Sequence, residues 1–589
     1  MNYLQKIYKE QTKPIVKLEN DTYKLSSKYK IGKIKLSNNM ALLELLEKKT
    51  QKIFIDHKNL NGAYENDIVL VQVIFNPKGK TKAKVLEVLD RENTNILCYV
   101  KGSELYSVKE NIFIDCDIVN NRDGDIVIFD GKKIIKIFGN ISDARVDEKI
   151  SLYLYNELYR IEDINEYEFK EIDLSNRIDL TDLDFCTIDP ASAKDHDDAI
   201  YYDEKNKELY VAIADVSSYV KEGSKLDEEA LKRSFSIYLP NKVLPMLPFE
   251  LSTDLCSLVA NKKRPSFVFK MKLDTKQCNV IESEVFEAVI ESKYKYSYEY
   301  IDEVLQKNDP NNPHVKLFAI TSKFRFARLK KGYDFRNEEI RLILDDEEKL
   351  KDYALESSSP SHSLVEECML LANQEAAKKL DISGIFRIHD EPTSSKIKKL
   401  LEDLNHLGIK AKLKDDIHST ILSIQQKASN VGLENEVDEL IIQSQQQATY
   451  SAIKREHFGL GFKNYSHFTS PIRRYSDLVL HRILKSNNIP SNIDDICEKI
   501  STKEREIATL VWDYEDRKYA RYLSNNIGKK YRAILVDSEN LIVKIEDEVK
   551  GARVYLDNYT GQKLFSKVNI KIKSSDIISK KIIASIVEE

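Results

Sequence analysis

Long apolar runs are missing from this sequence. No stretch approaches the roughly 20 consecutive apolar residues of a membrane span, and the start MNYLQKIYKEQTK lacks the apolar core of a signal peptide. A cytoplasmic protein with no membrane partner is expected. Cysteine pairing is missing too: the cysteines at 98, 116, 186, 256, 278, 368 and 497 stand singly, with no C-x-x-C spacing. That pattern argues against a disulfide framework or a cysteine zinc site and predicts buried thiols. A basic excess is also missing, since the net charge is -5. A nucleic-acid ligand would therefore require positive charge gathered in a channel rather than spread over the surface. What remains is a soluble globular composition, 42% hydrophobic and 32% charged over 589 residues, long enough for three or more domains and a large core.

Against that background one run stands out. Asp189, Asp195, Asp197 and Asp198 fall within ten residues of TIDPASAKDHDDAI. At 4 Å, two like charges repel by roughly 4 kcal/mol at an effective dielectric near 20. Lys194 offsets only one of these charges, and hard oxygen donors suit Mg²⁺ or Mn²⁺. A solvated acidic loop is the plainer reading of a charge run. Here, however, the acids lie between Phe185-Cys186-Thr187-Ile188 and Ala199-Ile200-Tyr201-Tyr202, two apolar stretches with strand character. That places them on a loop and a strand start and favours a divalent metal site. A calcium EF-hand fails on spacing, because its glycine position, counted from Asp195, is Ile200. The Asp-His-Asp-Asp string also matches, weakly, a phosphoesterase metal motif.

Strand periodicity organises both ends of the chain. Residues 1–28 are polar. Alternating apolar and polar residues then run from KIGKIKL through IFIDHKNLNGAYENDIVLVQVIF to KAKVLEVL, with turns at Asn61-Gly62 and Pro77-Lys78-Gly79. A weaker second β-rich stretch covers 93–140, helices and strands mix from 141 to 527, and β-rich sequence returns at 528–589. In HFTSPIRRYSDL, Ser470 as N-cap and Pro471 at the first helical position predict a helix start, with Arg473 and Arg474 in its first turn. Cations are disfavoured at that end of a helix dipole, so the arginines gain most beside a phosphate. An i,i+4 pair of Arg473 with Asp477 is the structural alternative.

TIDPASAKDHDDAI, YVAIADVSSYV, SIYLPNKVLPMLP, LVEECMLLAN, FRIHDEP and HFTSPIRRYSDLVLHR occur in this order over roughly half the chain. Together they resemble the motifs of the RNB exoribonucleases, the ribonuclease II and ribonuclease R family, with the AIADVS and FRIHD wording closer to ribonuclease R. The resemblance implies an α+β fold. An RNB catalytic domain at 141–527 would follow an N-terminal extension, 1–28, and two cold-shock-like OB barrels, 29–92 and 93–140, and precede a degenerate S1-like OB barrel, 528–589. It implies a monomeric, Mg²⁺-dependent, processive 3′-to-5′ exoribonuclease that releases nucleoside 5′-monophosphates from single-stranded RNA. Carried over by motif, Asp189, Asp195 and Asp198 are metal ligands and Asp197 the carboxylate needed for turnover. His196 is read as a neighbour rather than a ligand. Arg473 meets the scissile phosphate, and Arg474 is a further RNA contact. Tyr238, Tyr298 and Phe386 lie where bases stack or the last product is limited, and Glu366 and Glu367 are candidates for sugar hydroxyls. The rival readings are an inert RNB-like RNA-binding protein and a metal phosphoesterase acting on other nucleotides.

Overall fold

The computed structural model describes residues 3–587 except 11–14, 20–21, 38–39, 47–51, 57–58, 62, 64–65, 75–81, 91–94, 115, 119, 156–166, 168, 171, 336–338 and 560. Of the turns expected in the first β-rich stretch, Gly62 and residues 77–79 lie outside that description. The chain divides into two compact units, Met1–Leu154 with Ile577–Ser579, and Tyr155–Asp576 with Lys580–Glu589.

In the first unit the polar N-terminal extension is folded among the described residues. Helix Tyr3–Glu10 and the hairpin Val16–Glu19/Thr22–Leu25 bury Ile7 and Val16 against Leu70 and Leu89. Strands Tyr29–Ser37, Met40–Leu45, Lys52–Ile55, Ile68–Ile74 and Lys82–Asp90 close a barrel. Alternate residues such as Ile53 and Ile55, Val69 and Val71, and Ala83 and Val85 fill its interior, as a two-residue period requires. At Gly32 a Cβ would stand 2.5 Å from the Glu44 carbonyl oxygen, so the crossing of the first two strands admits no side chain.

The second β-rich stretch, where a second OB barrel is expected, is a single antiparallel sheet among the described residues. Ile96–Lys101, Glu104–Ser107, Phe113–Ile114, Asp125–Phe129 and Ile134–Asn140 form a five-stranded antiparallel sheet that is open among the described residues. Its two edges are the two-residue Phe113–Ile114 strand and Ile134–Asn140, whose pairing is interrupted by register shifts.

The second unit is built on a seven-stranded sheet. In spatial order its strands are Ile178–Asp179, Asn279–Glu291, Lys263–Asp274, Glu208–Ala214, Asp198–Asp203, Cys186–Asp189 and Tyr294–Ser297. The central Glu208–Ala214 strand buries Leu209, Val211, Ala212, Ile213 and Ala214 completely, the pattern of a strand covered on both faces. Helices Tyr298–Lys307, Pro313–Arg328 and Pro360–Lys379 pack on one another beside this sheet. Helix Ile493–Ser524, 32 residues and about 48 Å long, carries Tyr519 and Leu523 into the core of a closed C-terminal barrel. That barrel comprises Lys530–Asp537, Ile542–Ile545, Arg553–Leu556, Lys567–Asp576 and Lys581–Ile586. It is fastened to the helix by Tyr519, whose hydroxyl donates to the Lys550 carbonyl at 2.7 Å.

Among the described residues no helix is long and apolar enough to cross a membrane. All seven cysteines are free thiols; Cys116 and Cys278 are partly exposed, where burial was expected for the whole set.

Candidate active site

Asp189 ends one strand and Asp198 begins the neighbouring one, as their apolar flanks predict, so residues 190–197 form a loop at the edge of the sheet. The loop is pinned from several directions. Ser257 Oγ accepts the His196 N–H at 3.0 Å and donates to the Lys194 carbonyl at 2.8 Å. Lys295 Nζ donates to the carbonyls of Ala191, at 3.3 Å, and Ala193, at 2.7 Å. The Ala214 N–H donates to the Asp197 carbonyl at 2.8 Å.

Each carboxylate then has its own environment. Asp189 Oδ2 accepts from His196 Nδ1 at 2.6 Å, so the buried histidine orients a carboxylate. Asp195 Oδ2 accepts from the Tyr238 hydroxyl at 3.1 Å. Asp197 is buried; its Oδ1 accepts the Ile472 N–H at 2.9 Å. Its Oδ2 has no hydrogen bond and stands 3.5 Å from Arg473 Nε. Burial holds the Asp197 carboxyl well above the usual carboxylate range, with the Arg473 charge opposing. The Asp198 carboxyl is raised by burial first and then by the negative charge of Asp189, with Arg473 and Arg474 opposing.

Opposite the aspartates, the structure corrects the expected helix start at Ser470-Pro471. The helix begins at Tyr475, and Arg474 is extended at φ -135°. Two sets of bonds set the backbone instead: Asp477, already inside the helix, accepts the Ser470 N–H at 2.7 Å, closing residues 470–474 into a tight turn. Segment 234–236 holds the turn by backbone pairing, with the Ser236 N–H donating to the Arg473 carbonyl at 3.0 Å and the Tyr475 N–H to the Ser234 carbonyl at 2.9 Å. Neither arginine lies in a first helical turn, so the dipole reasoning does not apply to them. The ion pair is also different: Arg474, not Arg473, meets Asp477, through Nη2 at 2.8 Å and Nε at 3.0 Å. Arg473 is left with a half-exposed guanidinium beside Asp197, its Nη2 donating to Ser470 Oγ at 3.1 Å.

Known proteins resemble the chain over nearly its whole length. The RNB domain matches residues 177–488, and the first, N-terminal OB domain of ribonuclease R matches residues 2–84. Ribonuclease R of Helicobacter pylori (strain ATCC 700392 / 26695) is 32% identical over 607 residues, covering 96% of this chain and 93% of that protein. The chain belongs to the RNB family of exoribonucleases. Ribonuclease R of Thermotoga maritima is 31% identical over 601 residues, covering 91% of this chain and 84% of that one. A solved structure, Mycoplasma genitalium RNase R in complex with ribose methylated single-stranded RNA, shares the fold. Its TM-score is 0.82 at 23% identity, over 95% of this chain and 100% of that one. Within the RNB family the chain lies on the ribonuclease R side and is a 3′-to-5′ exoribonuclease of α+β architecture with OB domains. RNB ribonucleases are generally dependent on divalent metal.

The RNB aspartates suit such an ion in donor chemistry. They are hard oxygen donors, Asp189 and Asp198 repel each other, and the buried Asp197 Oδ2 is left without a hydrogen bond. They are neighbours rather than a finished cage: among the described residues no three His, Cys, Asp or Glu side chains already stand in metal-ligating arrangement. Tyr238 and Tyr298 flank the cluster. Tyr238 feels Asp195, Asp197 and Arg473, and Tyr298 feels Asp198, Asp189 and Arg473. Tyr238 is 44% exposed, and Tyr298 stacks on His362 with ring centroids 3.7 Å apart.

Other expected RNA contacts fall elsewhere. Phe386 is fully buried in the Ser383–Ile388 strand, so no base can stack on it. Arg474 has its guanidinium occupied by Asp477. Glu367 is buried and bound by Arg328, with contacts of 2.5 Å and 3.1 Å, and Glu366 is held by Arg325 at 2.8 Å. The two glutamates therefore tie the Pro313–Arg328 helix to the Pro360–Lys379 helix. Sequence reasoning missed Ser257 and Lys295, whose spacing does not distinguish them. Ser470 and Asp477 figure in it, but as a helix cap and a partner of Arg473, whereas Asp477 instead bonds the Ser470 N–H and Arg474.

Proposed function

We propose that this RNB protein is a cytoplasmic, monomeric enzyme that degrades single-stranded RNA processively from its 3′ end. It releases nucleoside 5′-monophosphates, with Mg²⁺ held by Asp189, Asp195 and Asp198. The observation that carries the reading is the buried, unbonded Asp197 Oδ2 facing the Arg473 guanidinium beside the other carboxylates. When bound, the ion supplies Lewis-acid stabilisation of the phosphoryl oxygens and a more acidic water.

The protein supplies the positioning. Arg473 presents a partly exposed fork able to meet two phosphate oxygens as charge develops on them. Asp197 Oδ2 stands 3.5 Å from that fork on its buried side. His196 and the Tyr238 hydroxyl fix the oxygens of Asp189 and Asp195 that they contact. Tyr238 and Tyr298 offer aromatic surface at the ends of the cluster, suited to bases without sequence preference.

The test is a time course on 5′-labelled single-stranded RNA with MgCl₂. A short limit product without a ladder of intermediates is expected, together with loss of activity in EDTA and its return with Mg²⁺. Cleavage scattered along the chain would overturn the exonuclease reading, and tight binding without hydrolysis would make the protein an inert RNA binder.

A further inference from the structure

We propose that Asp477 and Ser470 are positioning residues for Arg473, acting through the 470–474 turn. This inference rests on the reading of Arg473 as the group that meets the scissile phosphate. The Asp477 carboxylate is fully buried and is spent on one task. Its Oδ1 accepts the Ser470 N–H at 2.7 Å and Arg474 Nη2 at 2.8 Å; its Oδ2 accepts Arg474 Nε at 3.0 Å and Ser476 Oγ at 2.8 Å. Both ends of the turn are thereby tied to one side chain.

Two consequences follow at the site. The Ile472 N–H points at Asp197 Oδ1, and the next residue, Arg473, is carried out beside Asp197 Oδ2. Ser470 then holds the guanidinium directly, its Oγ accepting from Arg473 Nη2 at 3.1 Å. Arg474 neutralises the buried carboxylate that shapes the turn, which accounts for two adjacent arginines with different tasks. Beneath them Ser476 Oγ is also 3.2 Å from the Tyr450 hydroxyl, and that hydroxyl is 2.9 Å from His467 Nδ1, so the floor of the turn is a continuous polar network.

A group acting only through another is recognised by non-additivity. Hydrolysis of 5′-labelled single-stranded RNA with MgCl₂ is measured on the full chain for Ser470→Ala, Asp477→Asn, Arg473→Ala and the two doubles with Arg473→Ala. Displacement of the guanidinium by Asp477→Asn lowers kcat by about 10²-fold, and Ser470→Ala lowers it less, with KM shifting no more than about twofold in either. Combined with Arg473→Ala, neither lowers kcat further. Arg473→Ala at the wild-type rate would overturn the reading of Arg473 and this proposal with it. A slow Arg473→Ala beside full-speed Ser470→Ala and Asp477→Asn, or losses that multiply in the doubles, would overturn the positioning role and leave Arg473 standing. Because Asp477→Asn strips Arg474 of its buried counter-charge and can prevent folding, Ser470→Ala, which deletes a single hydroxyl, decides the question in a folded chain.

Discussion

Asp197 and Ile472, 275 residues apart in sequence, are joined by a 2.9 Å hydrogen bond from the Ile472 N–H to Asp197 Oδ1. The acidic loop and the arginine turn are therefore one mechanical piece. An asparagine at 197 keeps an oxygen for this bond and deletes the charge facing Arg473. Asp197→Asn is expected to lower kcat by at least about 10²-fold, the scale on which a group aimed at transition-state charge acts, while RNA affinity stays near wild type. Filter binding and single-turnover cleavage on the same RNA check this; an unchanged rate would remove Asp197 from the chemistry.

Tyr238 combines an exposed ring with a hydroxyl bonded to Asp195, which places aromatic surface at the edge of the carboxylates. Tyr238→Ala should lengthen the limit oligonucleotide while early degradation of long RNA proceeds at nearly the wild-type rate, since a stacking platform is worth roughly 1 to 3 kcal/mol and a long strand keeps its other contacts. Tyr238→Phe should leave the product length alone, because the ring and not the hydroxyl carries the stacking. A Tyr238→Ala product of wild-type length would count against a base platform there.

Phe386 is a contrasting case. Its motif position suggests RNA, yet its ring is fully buried with Lys454 Nζ 5.6 Å from its centroid. Phe386→Ala should cost about 3 to 5 kcal/mol of stability and leave the limit product unchanged in length at temperatures where the variant is folded. Denaturant midpoints and product gels together separate the two roles; a lengthened product from a fully stable variant would restore Phe386 to the RNA path.

What could be read in advance divides along the same line. Alternation such as Ile53/Ile55 and Val69/Val71 announces a strand whatever the rest of the chain does, and it lies in a closed barrel. The apolar flanks of the aspartates likewise fix them to a loop and a strand start. The Ser470-Pro471 signal failed because the backbone there is set by the Asp477 side chain, which competes for the Ser470 N–H, and by pairing with residues 234–236, which are remote in sequence. Burial of Phe386 and the pinning of the loop by Ser257, 61 residues from His196, are likewise products of the assembled fold. No window of sequence contains them.

Glu515 lies in the Ile493–Ser524 helix, where burial first, and then the charge of Asp516, push its carboxyl up to about 7, with Arg553 opposing. An unfolded glutamate titrates near 4.3, so between that value and about 7 the folded chain binds the additional proton. Stability rises with pH only where the unfolded state holds more protons; here the sign is reversed, and this group's contribution falls as pH rises across that window. Glu515→Gln mimics the protonated form at every pH. Its Tm should exceed the wild-type Tm by about 2 °C or more at pH 8, and the gain should shrink toward zero as the pH is lowered to 4.5, where the wild-type carboxyl is itself largely protonated in the fold. Differential scanning fluorimetry of both proteins across that range reads the difference directly. A gain independent of pH would mean that Glu515 is destabilising for a reason other than its charge, and a loss at pH 8 would mean that its carboxylate is instead favourably paired.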